Sequence, residues 1–156
     1  MPLSCIDKIT LLEKGVRIRA EKTVRPEEEH FRDHFSGFAV LPGVLMLEGL
    51  AESAAALVRA TDDFARTQVY LVSCSQVKFS KLVRPLTRVV FEAEIVSNDG
   101  AEFEFKGKVL ENDRAVAVAR FRMRAESVGE TFPLYAHLEA PLAGKQRRLL
   151  DSLYTV

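Results

Sequence analysis

With 156 residues, of which 47% are hydrophobic, the chain has the size of one ordinary globular domain and enough apolar surface to build a core without staples. Its 22 basic and 22 acidic residues cancel, which excludes the positive excess of nucleic-acid and anionic-membrane binders and points to a small-molecule or protein partner. No segment approaches the roughly 20 apolar residues of a membrane span. The opening MPLSCIDKIT has no continuous apolar run, and Cys5 and Cys74 fit neither a disulfide framework nor a CxxC metal motif. A soluble, cytoplasmic protein with reduced thiols is expected.

The first segment is strand-like: Val16, Ile18 and Ala20 alternate with Arg17, Arg19 and Glu21 after a turn at Lys14-Gly15, which predicts a hairpin. Residues 25–41, with Pro26, Gly37, scattered charge and two histidines, His30 and His34, have no period and read as a long loop of the kind that often carries function. Pro42 suits the first position of a helix, and VLMLEGLAESAAALVRA beyond it is apolar on nearly every face, so that helix should be buried on most sides.

Four β-like segments follow: TQVYLVSCSQVKF, TRVVFEAEIVS, AEFEFKGKVLE and RAVAVARFRMRAE. The last three alternate cleanly, and the breaks NDG at 98–100 and ENDR at 111–114 carry the turn chemistry of an antiparallel meander. A sheet with one dry face needs a cover, and the only long apolar helix is the one after Pro42. The expected architecture is α+β, a curved antiparallel sheet wrapped around a long central helix. In the tail, a loop-like APLAG precedes KQRRLLDSLYTV, the pattern of a short amphipathic helix. The expected organisation is a single domain over 1–128, with 129–156 as a C-terminal extension of it.

One acid, Glu48, stands in the apolar helix, where an unpaired charge costs several kcal/mol. Helix N-termini stabilise negative charge through unpaired N–H groups and the dipole, and a thioester carbonyl oxygen turning enolate-like is one such charge. With the N–H of Gly43 aimed at that oxygen, an upstream imidazole, His34, would take the acidified α-proton and Glu48 would serve the leaving group. Burial among Val44, Leu45, Leu47 and Ala51 would keep Glu48 protonated. Blander readings exist: Glu48 and Glu52, one turn apart, also fit a solvated acidic stripe, and His34 a structural imidazole. A metal site at His30, His34, Asp33 and Glu48 is disfavoured because that spacing falls in a loop and not on a helix face.

DHFSGFAVLPGVLMLEGLAE resembles the signature of the (3R)-hydroxyacyl-acyl-carrier-protein dehydratases, in which Gly-His-Phe-Pro is followed by Pro-Val-Met-Pro-Gly-Val-Leu and an acid on the helix. IDKITLLEKGVRIRAEKTV looks like that family's first hairpin and FKGKVLENDRAVAVARFRM like its last, so the likeness covers roughly residues 3–125. The resemblance implies the hotdog fold, His34 and Glu48 as catalytic residues, the Gly43 N–H facing the thioester carbonyl, and Val40 lining the site. It further implies no metal or organic cofactor, a substrate borne on the phosphopantetheine arm of an acyl carrier protein, and a homodimer or higher homo-oligomer whose sites are shared between subunits. Lys78, Lys81, Arg84 and Arg88 form a candidate docking cluster for an acidic carrier, and Arg120, Arg122 and Arg124 a weaker one.

The pattern departs from the family at Asp33, Ser36 and Ala39, where Gly, Pro and Pro are usual, and at Glu52, where Gln is usual. Two missing prolines leave the loop less pre-organised. The alternatives are a non-catalytic acyl-binding or scaffold subunit and an acyl thioesterase on the same fold, which fold class alone cannot separate from a dehydratase.

Overall fold

The computed structural model describes residues 5–28 and 37–154. At its centre lies α1, Gly43–Thr61, which buries Met46, Leu50, Ala54, Leu57 and Val58. Pro42 keeps an extended ψ of 137° and so stands one position before the helix, not inside it as its sequence position led us to expect. Around α1 curls a six-stranded antiparallel sheet built from β1 (Lys8–Glu13), β2 (Arg17–Thr23), β3 (Gln68–Phe79), β4 (Arg88–Asn98), β5 (Glu102–Glu111) and β6 (Arg114–Glu126). The strand order is β1-β2-β4-β5-β6-β3. This is the α+β hotdog arrangement.

Alternation explains the sheet. Across its inner face Ile18, Ala93, Gly107 and Ala119 stand in register on four adjacent strands, and this row of mostly small residues leaves room for α1. A Cβ at Gly107 would meet the rings and methyls of Phe121 and Leu50. The fit is closer still at Gly49, where a Cβ would stand 2.3 Å from Phe91 Cζ. Phe105 and Phe121 stack with centroids 5.3 Å apart, and each such fully buried side chain stabilises the fold by about 1.5–3 kcal/mol. On the outer face charges pair across strands: Glu92 binds Arg19 at 2.9 Å and Lys108 at 3.3 Å.

The meander β4-β5-β6 turns where the sequence predicts it. Asn112 and Asp113 adopt φ of 50° and 63° between the paired Glu111 and Arg114, the two-residue turn that side-chain-compatible left-handed residues favour. By contrast β3 pairs, among the described residues, with β6 alone and lies at the sheet edge, with most of its 12 residues exposed. Cys5 and Cys74 are free.

The tail is more ordered than its composition implies. After β6 come a short α2 (Val128–Thr131), a 3-10 segment Pro133–Leu138, and α3, Glu139–Leu153, which takes in the APLAG stretch read as a loop. Pro141 falls in the first turn, where its missing N–H is no loss. Tertiary bonds then hold the helix: the Glu139 carboxylate accepts the N–H groups of Thr67 and Val128, and Arg147 binds Asp63 at 3.0 Å. Leu150 and Leu153 pack on the core.

Candidate active site

The polar features of interest gather at the N-terminus of α1. Val40 and Leu41 are buried, and the Leu41 N–H donates to the Val83 carbonyl at 2.7 Å, which ties the approach to the helix to the loop between β3 and β4. The ring of Phe79, at the end of β3, covers the Cα of Gly43. The Leu45 N–H returns to the Pro42 carbonyl at 3.0 Å, while the amides of Gly43 and Val44 have no acceptor among the described residues. Two donors and the positive end of the helix dipole thus remain available for an oxyanion. Val40, by contrast, presents no surface of its own; it backs the turn from inside.

Glu48 lies on the face of α1 that the sheet leaves bare. It is exposed, as is Val44 at 67%, while Leu45, Leu47 and Ala51 are half-buried. The desolvated surroundings expected from the apolar run are therefore not supplied by this chain's own described residues. The reason is geometric: the sheet covers the side carrying Met46 and Leu50, and α3 roofs only the far half of the helix. There Glu52, Ala56 and Arg59 line a small cavity of about 60 Å³ with Leu149, Leu150 and Leu153.

Glu52, one turn beyond Glu48, accepts the Cys5 N–H at 2.7 Å. Burial, then the charges of Glu48 and Glu52, push the Cys5 thiol up to about 12, so that thiol is no nucleophile near neutrality. His30, His34, Asp33 and Ser36 lie outside the described residues.

The basic cluster is a real surface feature beside this site. Lys78 is the last residue but one of β3, Lys81 and Arg84 follow in the loop, and Arg88 opens β4. Lys81 pairs with Glu111 at 2.5 Å, Arg88 with Glu21 at 3.7 Å, and the Arg84 guanidinium lies 4.3 Å from the centroid of the Phe38 ring. Arg120 and Arg124 instead pair with Glu104 and Glu102 across the outer face. Sequence reasoning missed Phe38 and Phe79; the aromatic residues flanking the loop and the Pro-Gly step were the available signal. A concavity of about 450 Å³ lies on the outer face among Arg17, Arg19, Glu92, Lys106 and Arg120. It is a trough of cross-strand charges on the side of the sheet away from α1.

A family model described as the FabA-like domain matches residues 1–120. The chain is similar to the 3-hydroxyacyl-acyl-carrier-protein dehydratase FabZ of Thiobacillus denitrificans, at 36% identity over 121 residues covering 76% of this chain and 83% of the relative. It is also similar to the FabZ of Sulfurovum sp., at 32% identity over 127 residues covering 78% and 85%. Among solved structures, the dehydratase heterocomplex ApeI:P from Xenorhabdus doucetiae superposes with a TM-score of 0.70 at 12% identity, over 86% of this chain and 91% of that one. At that identity the likeness speaks for the fold alone.

Proposed function

The chain belongs to the FabA-like family, with 3-hydroxyacyl-acyl-carrier-protein dehydratases among its relatives, and from that premise we propose that it removes water from a (3R)-3-hydroxyacyl thioester to give the trans-2-enoyl thioester. The step is one of fatty-acid biosynthesis, and the thioester is borne on an acyl carrier protein. The observation that carries the reading is the pairing of two amides without an acceptor among the described residues, Gly43 and Val44, with an exposed carboxylate, Glu48, on one accessible end of α1.

In this reading the Gly43 N–H and the helix dipole hold the thioester carbonyl oxygen as the α C–H bond breaks. His34 takes that proton, the electron pair passes through the enolate into the new C=C bond, and the C3–O bond breaks. Glu48 gives its proton to the departing hydroxyl, which leaves as water. Hydration of the enoyl thioester uses the same groups in reverse.

Two features support a homo-oligomer with shared sites. Glu48 stands uncovered in the single chain, and a second subunit supplying His34 would desolvate it. The β3 edge exposes Tyr70, Leu71, Val72 and Val77, and an unpaired edge of that length is a liability alone and a seam in a dimer. Residues 129–156 are an extension of the same domain, a reading supported by the bonds of Glu139 and Arg147 and the bridge between Ile9 and Tyr154. No helix among the described residues is long and apolar enough to cross a membrane, in keeping with a cytoplasmic enzyme.

The test is mass-spectrometric detection of the loss of a single water from 3-hydroxyacyl carrier-protein thioesters of graded chain length. Wild type should convert them, and His34→Ala should not. Intact substrate after prolonged incubation with folded wild type would reject the reading.

A further inference from the structure

The loop between β3 and β4 contains a residue that folding alone does not explain. Leu86 is 79% exposed, so its side chain adds nothing to the core. Its backbone φ is +68°, a region that suits Gly or Asn and strains a branched side chain. The conformation is held in place: the Leu86 N–H donates to the Val24 carbonyl at 2.7 Å, and the Val24 N–H to the Thr87 carbonyl at 2.9 Å. An apolar group is thus fixed in water by a turn that disfavours it, with Leu82 exposed nearby on the same loop.

The charge around it is lopsided. From Val77 to Phe91 the chain carries Lys78, Lys81, Arg84 and Arg88 and no acid. The acids that pair with this segment are recessed: the side chains of Glu111 and Glu21 are 12% and 13% exposed, against 61% for Lys81 and 67% for Arg88. The outward surface is therefore positive with an apolar tip. It adjoins the site, because Val83 of this loop binds Leu41 and Arg84 lies on Phe38, both in the approach to α1.

We propose that Leu86 is the apolar tip of the docking surface for the acidic carrier protein, set among Lys81, Arg84 and Arg88 and inserted into an apolar groove on the carrier's acidic face. This rests on the reading that the substrate arrives carrier-bound. The basic groups steer the encounter, and the buried leucine slows dissociation. A small pantetheine thioester meets none of this surface.

The experiment compares wild type with Leu86→Asn, which keeps the left-handed turn, and Leu86→Glu, which opposes the carrier's charge. Each is assayed with one acyl group on carrier protein and on pantetheine, and each is titrated with holo-carrier by calorimetry. Leu86→Asn is expected to raise KM for the carrier thioester about fivefold or more and Leu86→Glu further, with carrier affinity falling in parallel. Pantetheine kinetics should stay at wild-type values, and the melting temperature of Leu86→Asn should not fall, since Asn suits the left-handed turn. Unchanged carrier affinity in both variants overturns the proposal, as does equal loss on both substrates. A change in oligomer mass by sedimentation, without loss of carrier affinity, would assign the loop to contacts between copies of the chain and equally overturn it. If wild type turns over neither thioester, the dehydratase reading fails, while the calorimetry still decides the docking.

Discussion

The ring of Phe79 lies against the Cα of Gly43 so closely that a Cβ at that position would stand 2.9 Å from Cζ. The last residue of the edge strand thereby fixes where the first amide of α1 points. Gly43→Ala must push the ring aside or shift the helix start. Phe79 is half exposed and free to move outward, so the fold should survive. The amide is expected to lose its aim, with kcat falling about tenfold or more while the melting temperature drops by only a few degrees. Wild-type kcat in a well-folded variant would remove Gly43 from the oxyanion site.

The Glu139 carboxylate accepts N–H groups from both Thr67, at 2.7 Å, and Val128. Thr67 is only 1% exposed, so its amide has no water to turn to. Glu139→Ala leaves two donors without partners, which should cost about 2–4 kcal/mol, read as a fall in the urea midpoint at unchanged slope. Release of α3 should also expose Leu150 and Leu153. A variant as stable as wild type would mean that the tail is held by its apolar contacts alone.

Cys5 gives a signed pH effect. Its thiol is raised in the folded chain from 9.0 to about 12, by burial first and then by the charges of Glu48 and Glu52. A raised folded value stabilises the fold fully below the unfolded value, and that contribution disappears as pH climbs from about 9 toward 12. Because the thiol is only partly buried, the loss is a fraction of the about 1.4 kcal/mol per unit that linkage allows. Cys5→Ser should therefore flatten the alkaline arm of the stability curve. Superimposable curves above pH 9 for the two proteins would contradict the placement of Cys5 beside those carboxylates.

Much of the architecture was legible where local and global preferences agree. The Asn112-Asp113 turn, the alternation of β4 to β6 and the apolar run of α1 each carry their own signal, and each formed as read. Other features depend on contacts distant in sequence. APLAG has turn composition, and it became helix because Glu139 and Arg147 found Thr67 and Asp63 in the connection between α1 and β3. Nothing in QVYLVSCSQVKF marks it as an edge strand, since both its faces carry apolar residues. The exposure of Glu48 was equally hidden, because an apolar helix sequence does not say which face a sheet will leave bare. At the site, Glu48 and the Gly43 amide are placed at one end of α1, Val40 is an internal support, and His34 lies outside the described residues.

The central claim is that His34 of one subunit and Glu48 of another complete each site. Its most direct test is complementation: purified His34→Ala and Glu48→Gln proteins, each inactive alone, are unfolded together, refolded and assayed for water loss from a carrier-bound 3-hydroxyacyl thioester. Random pairing gives half heterodimers, each with one intact shared site, so the mixture should recover about a quarter of wild-type turnover. A mixture as inactive as its components, with exchange of subunits verified by mass spectrometry, would contradict the account.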